Sequence, residues 1–150
     1  MGGPQLNPTN RGFDIPETFK VVKEGEREVP FVLHDSLPPP PEDEEDNQEY
    51  EDELDMRFIV LGTQTTLEVL KNARHWMTDA TFKISPALFF QVLIIHGILN
   101  DNVFACLYVL MPNKQQRTYQ RVFNVVNQLI GDRGPSMVIS DFELYLFKTP

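Results

Sequence analysis

The run ALFFQVLIIHGILNDNVFACLYVLM, residues 87–111, constrains the fold more than any other stretch of the chain. Its first half puts Phe90, Val92, Ile94 and Ile98 on one side of an extended backbone and Phe89, Leu93, Ile95 and Leu99 on the other. Apolar groups on both sides mark a central strand covered on both faces. Asn100, Asp101 and Asn102 then form a turn, and VFACLYVLM returns as the second arm of a hairpin.

The flanking segments extend this into a sheet. From Arg57, RFIVLG reads as a short strand, and Thr65 with Glu68 fits a capping box opening a helix that carries Leu67, Leu70 and Ala73. HWMTDATFKI is a further strand, broken by Ser85 and Pro86. After Pro112, the residues Tyr119, Val122, Phe123, Val126, Leu129 and Ile130 repeat with helical spacing over 116–130, and Gly131 ends that helix. SMVIS is a last short strand. The order is β-β-β-α-β, an α/β mixed sheet in which the crossover helix returns the last strand parallel to an earlier one. Placing it beside HWMTDATF leaves the hairpin undisturbed.

Upstream the sequence is poorer in structure. Residues 1–37 form a partly ordered N-terminal segment, with a short strand at Phe31 to Leu33. Residues 38–56 open on a proline block and continue into an acidic block, the composition of a disordered linker. The folded domain is expected over 57–150.

A net charge of −9 opposes binding to nucleic acid, but the charge is uneven. Ten acidic groups and no basic one lie between 42 and 55, whereas from Arg57 onward nine Lys or Arg face six Asp or Glu. The domain is therefore basic, and the acidity belongs to the tract before it. Cys106 has no partner for a disulfide, which fits a reducing compartment. MGGPQLNPTNRGF lacks the apolar core of a secretory signal, and ALFFQVLIIHGIL is too short to span a bilayer and is interrupted by Gln91 and His96. His34, His75 and His96 lie too far apart in sequence for an ordinary zinc site. The expectation is an intracellular chain with no membrane partner.

Two aspartates stand at the strands that the crossover brings together: Asp79 in WMTDATFK and Asp141 in MVISDFE. Carboxylates on adjacent strands can share a hard cation such as Mg²⁺ or Mn²⁺, and two such ions serve phosphodiester chemistry by activating a nucleophile and stabilising the leaving oxygen. An isolated aspartate at a strand end is as readily a turn former or a helix cap, so spacing alone leaves both readings open. Lys83 and Lys114 lie near strand ends where a cation would attract a DNA backbone, against the plainer reading of solvated charge. Trp76 and Phe82 read as core anchors and His96 as a core histidine. Arg117 and Arg121 are either phosphate contacts or ordinary surface charges.

Four blocks in order carry a family resemblance: Trp76, Asp79, Thr81, Phe82 and Lys83; Gln91, Ile95 and His96; Tyr108, Leu110, Asn113 and Lys114; and Asp141, Phe142 and Glu143. Together they resemble the transposase domain of Mutator-like elements, a DDE-type family, and upstream IPETFKVV, FVLHDS and RFIVLGTQTTLEVLKNARHW resemble the region preceding it in cellular relatives. The resemblance implies a ribonuclease H-like fold and a nuclear, Mg²⁺- or Mn²⁺-dependent strand transferase acting on DNA, with no small-molecule cofactor and with possible self-association. It makes Asp79 and Asp141 the first two of three acidic metal ligands. The family's third acid, a glutamate on a later helix, has no counterpart before Pro150, and the last strand and helices of the domain are missing with it. Glu143 does not replace it, since two residues beyond Asp141 a side chain points elsewhere. Ala80 stands where the family has glycine, a mild change. The expectation is a transposase fragment impaired in DNA transposition, or alternatively a domesticated non-catalytic module that binds DNA or protein.

Overall fold

A computed structural model of the chain describes residues 11–42, 47–81, 88–131 and 134–140. The first elements are β1 (Val21–Glu24) and β2 (Arg27–Pro30), an antiparallel hairpin. Its turn begins at Gly25, whose φ of +66° is the left-handed value that glycine adopts without a Cβ penalty. This hairpin, closed by EGER, lies within the segment expected to hold only one short strand.

The remaining strands form one sheet. In chain order they are β3 (Val32–Asp35), β4 (Ile59–Leu61), β5 (His75–Thr81), β6 (Gln91–Leu99), β7 (Asn102–Met111) and β8 (Met137–Ser140). Three helices lie between them: α1 (Asn47–Asp55), α2 (Gln64–Asn72) and α3 (Gln116–Leu129). The spatial order is β3-β4-β7-β6-β5-β8. Every neighbouring pair is antiparallel except β5 and β8, which run parallel. The chain is thus α/β with a mixed six-stranded sheet. The four-strand order read from the sequence lies within it, extended at one edge by β3 and β4.

Turn chemistry fixes the central hairpin. Asn100 and Asp101, at φ +51° and +65°, make the two-residue left-handed turn whose twist matches antiparallel strands, and these residue types tolerate that backbone best after glycine. The α3 helix ends at Gly131, at φ +73°. The capping box of α2 sits two residues earlier than expected. Thr63 Oγ1 accepts from the Thr66 amide at 3.1 Å and Thr66 Oγ1 accepts from the Thr63 amide at 3.0 Å, so threonine fills the place usually held by Glu or Gln. Glu24 of the N-terminal hairpin accepts hydrogen bonds from the Thr63 and Thr65 hydroxyls and places a negative charge at the positive end of α2.

Both α2 and α3 cover the same side of the sheet. The Gln91 amide donates to Tyr119 Oη of α3 at 2.6 Å, and on the same side of β6 a Cβ added to Gly97 would stand 3.1 Å from Ala73 Cβ and 3.6 Å from Leu70 Cα, at the end of α2. Trp76, Leu93, Ile95, Leu107 and Val109 fill this layer against Leu67, Leu70, Val122 and Val126. On the other side Met77, Ile94, His96, Ile98, Tyr108 and Leu110 are half-buried, while Ile59 and Val92, both opposite Leu110, are buried. Met137 and Ile139 there are exposed. The expectation that β6 is central holds, and the expected cover on both faces holds in part: the helices cover one, while on the other Val92 is buried and Ile94, His96 and Ile98 are half-buried. Apolar alternation reports the position of a strand within a sheet, whereas cover depends on which side the connecting helices return to.

The second correction concerns residues 38–56, read as an unfolded linker, within which Asn47–Asp55 forms α1. One apolar anchor, Leu54, is buried, and Gln48 Nε2 donates to Asp52 Oδ1 one turn on. Just beyond the helix, Arg57 is wholly buried. Its guanidinium forks onto the Asp35 carboxylate at 2.8 and 2.6 Å, donates to the Arg11 and Phe13 carbonyls at 2.6 and 2.8 Å, and stacks 4.7 Å from the Phe13 ring centre. This docking offsets the mutual repulsion of the acidic residues.

Candidate functional site

The alternation of β5 sets the direction of Asp79. Trp76 and Thr78 point into the helix-covered layer, buried to 1% and 2% exposure, so Met77 and Asp79 point to the open side. Asp79 is exposed and lies opposite Ile94 of β6. His75 is exposed on that same side and His96 is half-buried there. The ring Nδ1 of His96 is 3.1 Å from the Met77 carbonyl oxygen. A carbonyl only accepts, so Nδ1 carries the proton in this contact and His96 is tied to β5 rather than to a ligand.

The parallel ladder between β5 and β8 runs from His75 opposite Met137 to Thr78 opposite Ser140. It stops one residue short of each aspartate. Asp141 lies outside the described residues, as do Phe142, Glu143, Phe82 and Lys83. Among the described residues no group of three or more His, Cys, Asp or Glu is placed to hold a metal. A single exposed carboxylate offers too few oxygen ligands for Mg²⁺ or Mn²⁺, so the described part of the face does not by itself fit the ion.

Lys114 is exposed in the loop between β7 and α3. Thr81 pairs with Val92, and Gln91 pairs with Met111, so the carboxyl ends of β5 and β7 lie at the same end of the sheet. Lys114 follows β7 at that end. Asn113 beside it is structural, since its Oδ1 accepts from the Gln115 amide at 3.0 Å and the Thr118 hydroxyl at 2.7 Å, capping a helix whose own N-cap residue makes no side-chain bond.

Two other residues in the family-like blocks hold the fold together. Trp76 Nε1 donates to the Leu70 and Ala73 carbonyls, 3.2 Å each, closing the last turn of α2. Gln91, 1% exposed, holds Tyr119 through its amide and also lies 3.4 Å from Met111 Sδ. The sequence carried a signal for this bond, because a glutamine inside an apolar strand requires a buried partner. Cys106 is buried and free, and desolvation raises its thiol pKa, which makes it a poor nucleophile. His34 stacks on Phe58, and burial lowers its pKa despite the neighbouring Asp35, which acts in the opposite direction. No helix among the described residues is long and apolar enough to cross a membrane.

Compared with family models, curated proteins and solved structures, the chain matches none.

Proposed function

We propose that this chain carries part of a ribonuclease H-like, DDE-type site of the transposase lineage, with Asp79 and Asp141 as two of its acidic metal ligands and nuclear DNA as its partner. The observation that supports this reading is the placement of β8 parallel to β5 after the β5-β6-β7 meander and the α3 crossover, with Ser140 opposite Thr78. Asp79 and Asp141 each follow the last paired residue of that ladder by one in sequence, and a shared Mg²⁺ or Mn²⁺ would need their carboxylates to meet. Lys114, at the same end of the sheet, supplies a cation toward a phosphate backbone.

A second reading has its own support. Among the described residues no group of three or more His, Cys, Asp or Glu is placed to hold a metal, so a domesticated module that binds DNA or protein without cutting it is the alternative. Incubation of the purified chain with nicked and end-containing DNA and Mn²⁺ separates the two. Cleavage that falls to background in Asp79→Ala supports the metal site. Binding that survives the same change, with no cleavage in either protein, supports the non-catalytic module.

A further inference from the structure

The charged residues left over after the aspartate pair meet in a cleft between α1 and α3. It encloses roughly 730 Å³, with Glu49, Asp52, Glu53 and Asp55 of α1 on one wall and Arg117 and Arg121 of α3 on the other. The two arginines stand four residues apart on α3, hence on one face, and both are exposed. Arg121 is held in place by the Phe58 ring, with its guanidinium carbon 5.5 Å from the ring centre, and Arg117 Nη2 lies 3.7 Å from Met56 Sδ. No ion pair among the described residues joins the two walls, although residues of opposite sign line the one cleft.

Charges act on one another through salt solution over about 8–10 Å. The acidic wall is fixed rather than free to drift. Leu54 and the Arg57 network anchor the C-terminal end of α1, and Arg11 pairs with Asp55 at 3.5 Å. With Asp55 paired to Arg11, Glu49, Asp52 and Glu53 still outnumber the two guanidinium groups, in the manner of a nucleic-acid backbone laid along the same helix.

We propose that α1 is a built-in polyanion mimic that shields Arg117 and Arg121 of α3 from the phosphates of duplex DNA. The shielding weakens DNA binding at low salt, and because the walls are not bonded it is displaceable. The proposal rests on DNA as the partner of this chain, and it gives the acidic tract a role in controlling that partner's access.

The test compares the full chain with Glu49→Gln/Asp52→Asn/Glu53→Gln, and with Glu26→Gln/Glu28→Gln/Glu68→Gln, which removes as many charges from exposed sites elsewhere. Affinity for a short duplex DNA and for heparin is measured from about 50 to about 200 mM salt. Freeing two arginines adds about 0.9 to the salt slope for each phosphate reached, so the α1 variant gains roughly tenfold in affinity at the low-salt end. The gain exceeds that of the control variant and disappears when Arg117→Gln/Arg121→Gln is added. An equal gain in the control, or one that survives loss of the arginines, overturns the shield. An arginine-dependent gain on heparin with no binding to DNA in any variant keeps the shield and overturns DNA as the partner. Thermal melts of all variants show whether each remains folded.

Discussion

Replacing Arg57 with methionine is expected to destabilise the chain by about 3–5 kcal/mol, the range for removing one member of a buried ion pair. The guanidinium is fully buried and makes four hydrogen bonds, two to the Asp35 carboxylate and two to the carbonyls of Arg11 and Phe13. Methionine fills much of the volume but takes the donor from two carbonyls and leaves the Asp35 carboxylate with the Leu37 amide in place of the guanidinium. The Asp35 side chain retains 22% exposure, so water relieves part of its loss and the effect should fall at the lower end of the range. Lysine should recover charge without the fork and give an intermediate loss. Urea unfolding measures this directly, and a shift below about 1 kcal/mol for Arg57→Met would show that the N-terminal segment is not held through this residue.

Trp76→Ala should cost a similar amount, about 3–5 kcal/mol, for a different reason. Trp76 is 1% exposed at the junction of β5, Gly97 of β6 and the end of α2, and the short distances around Gly97 leave little freedom for the helix to settle into the void. Phenylalanine separates packing from hydrogen bonding. It restores most of the apolar contact but not the Nε1–H that serves the Leu70 and Ala73 carbonyls, so Trp76→Phe should lose about 1–2 kcal/mol. A thermal melt in which alanine and phenylalanine are equally damaging would mean that the bonds, rather than the volume, hold α2 to the sheet.

Elements governed by local chemistry were legible in the sequence. The β6-β7 hairpin follows from apolar arms around Asn100 and Asp101, α3 follows from its helical repeat and Gly131, and the parallel return of β8 beside β5 follows from crossover geometry. What could not be read depended on distant partners. The α1 helix is acidic enough to repel itself, and only the burial of Leu54 and the ties of Arg57 to Asp35, Arg11 and Phe13 offset that repulsion. The open side of the sheet was hidden for the same reason. Ile94 and Ile98 read as core in a strand pattern, yet α2 and α3 both cross the side of Leu93 and Ile95. Of the candidate site, strand pattern and crossover geometry placed Asp79 on a strand adjacent to β8, and Lys114 at the same end of the sheet. Asn113 and Gln91, prominent in the family-like blocks, cap α3 and anchor Tyr119 instead.

The most direct test of the aspartate pair is Mn²⁺ binding to the full chain, followed by electron paramagnetic resonance, in the unmodified protein and in Asp79→Asn, Asp141→Asn and the double variant. If the two carboxylates share a cation, each single change weakens binding by about tenfold or more, and the double change adds little to either, because both act on one ion. Weak association with the acidic residues 42–55 is common to all four proteins and cancels in the comparison. Unaltered affinity in either single variant, or losses that simply add, would contradict a shared site at Asp79 and Asp141.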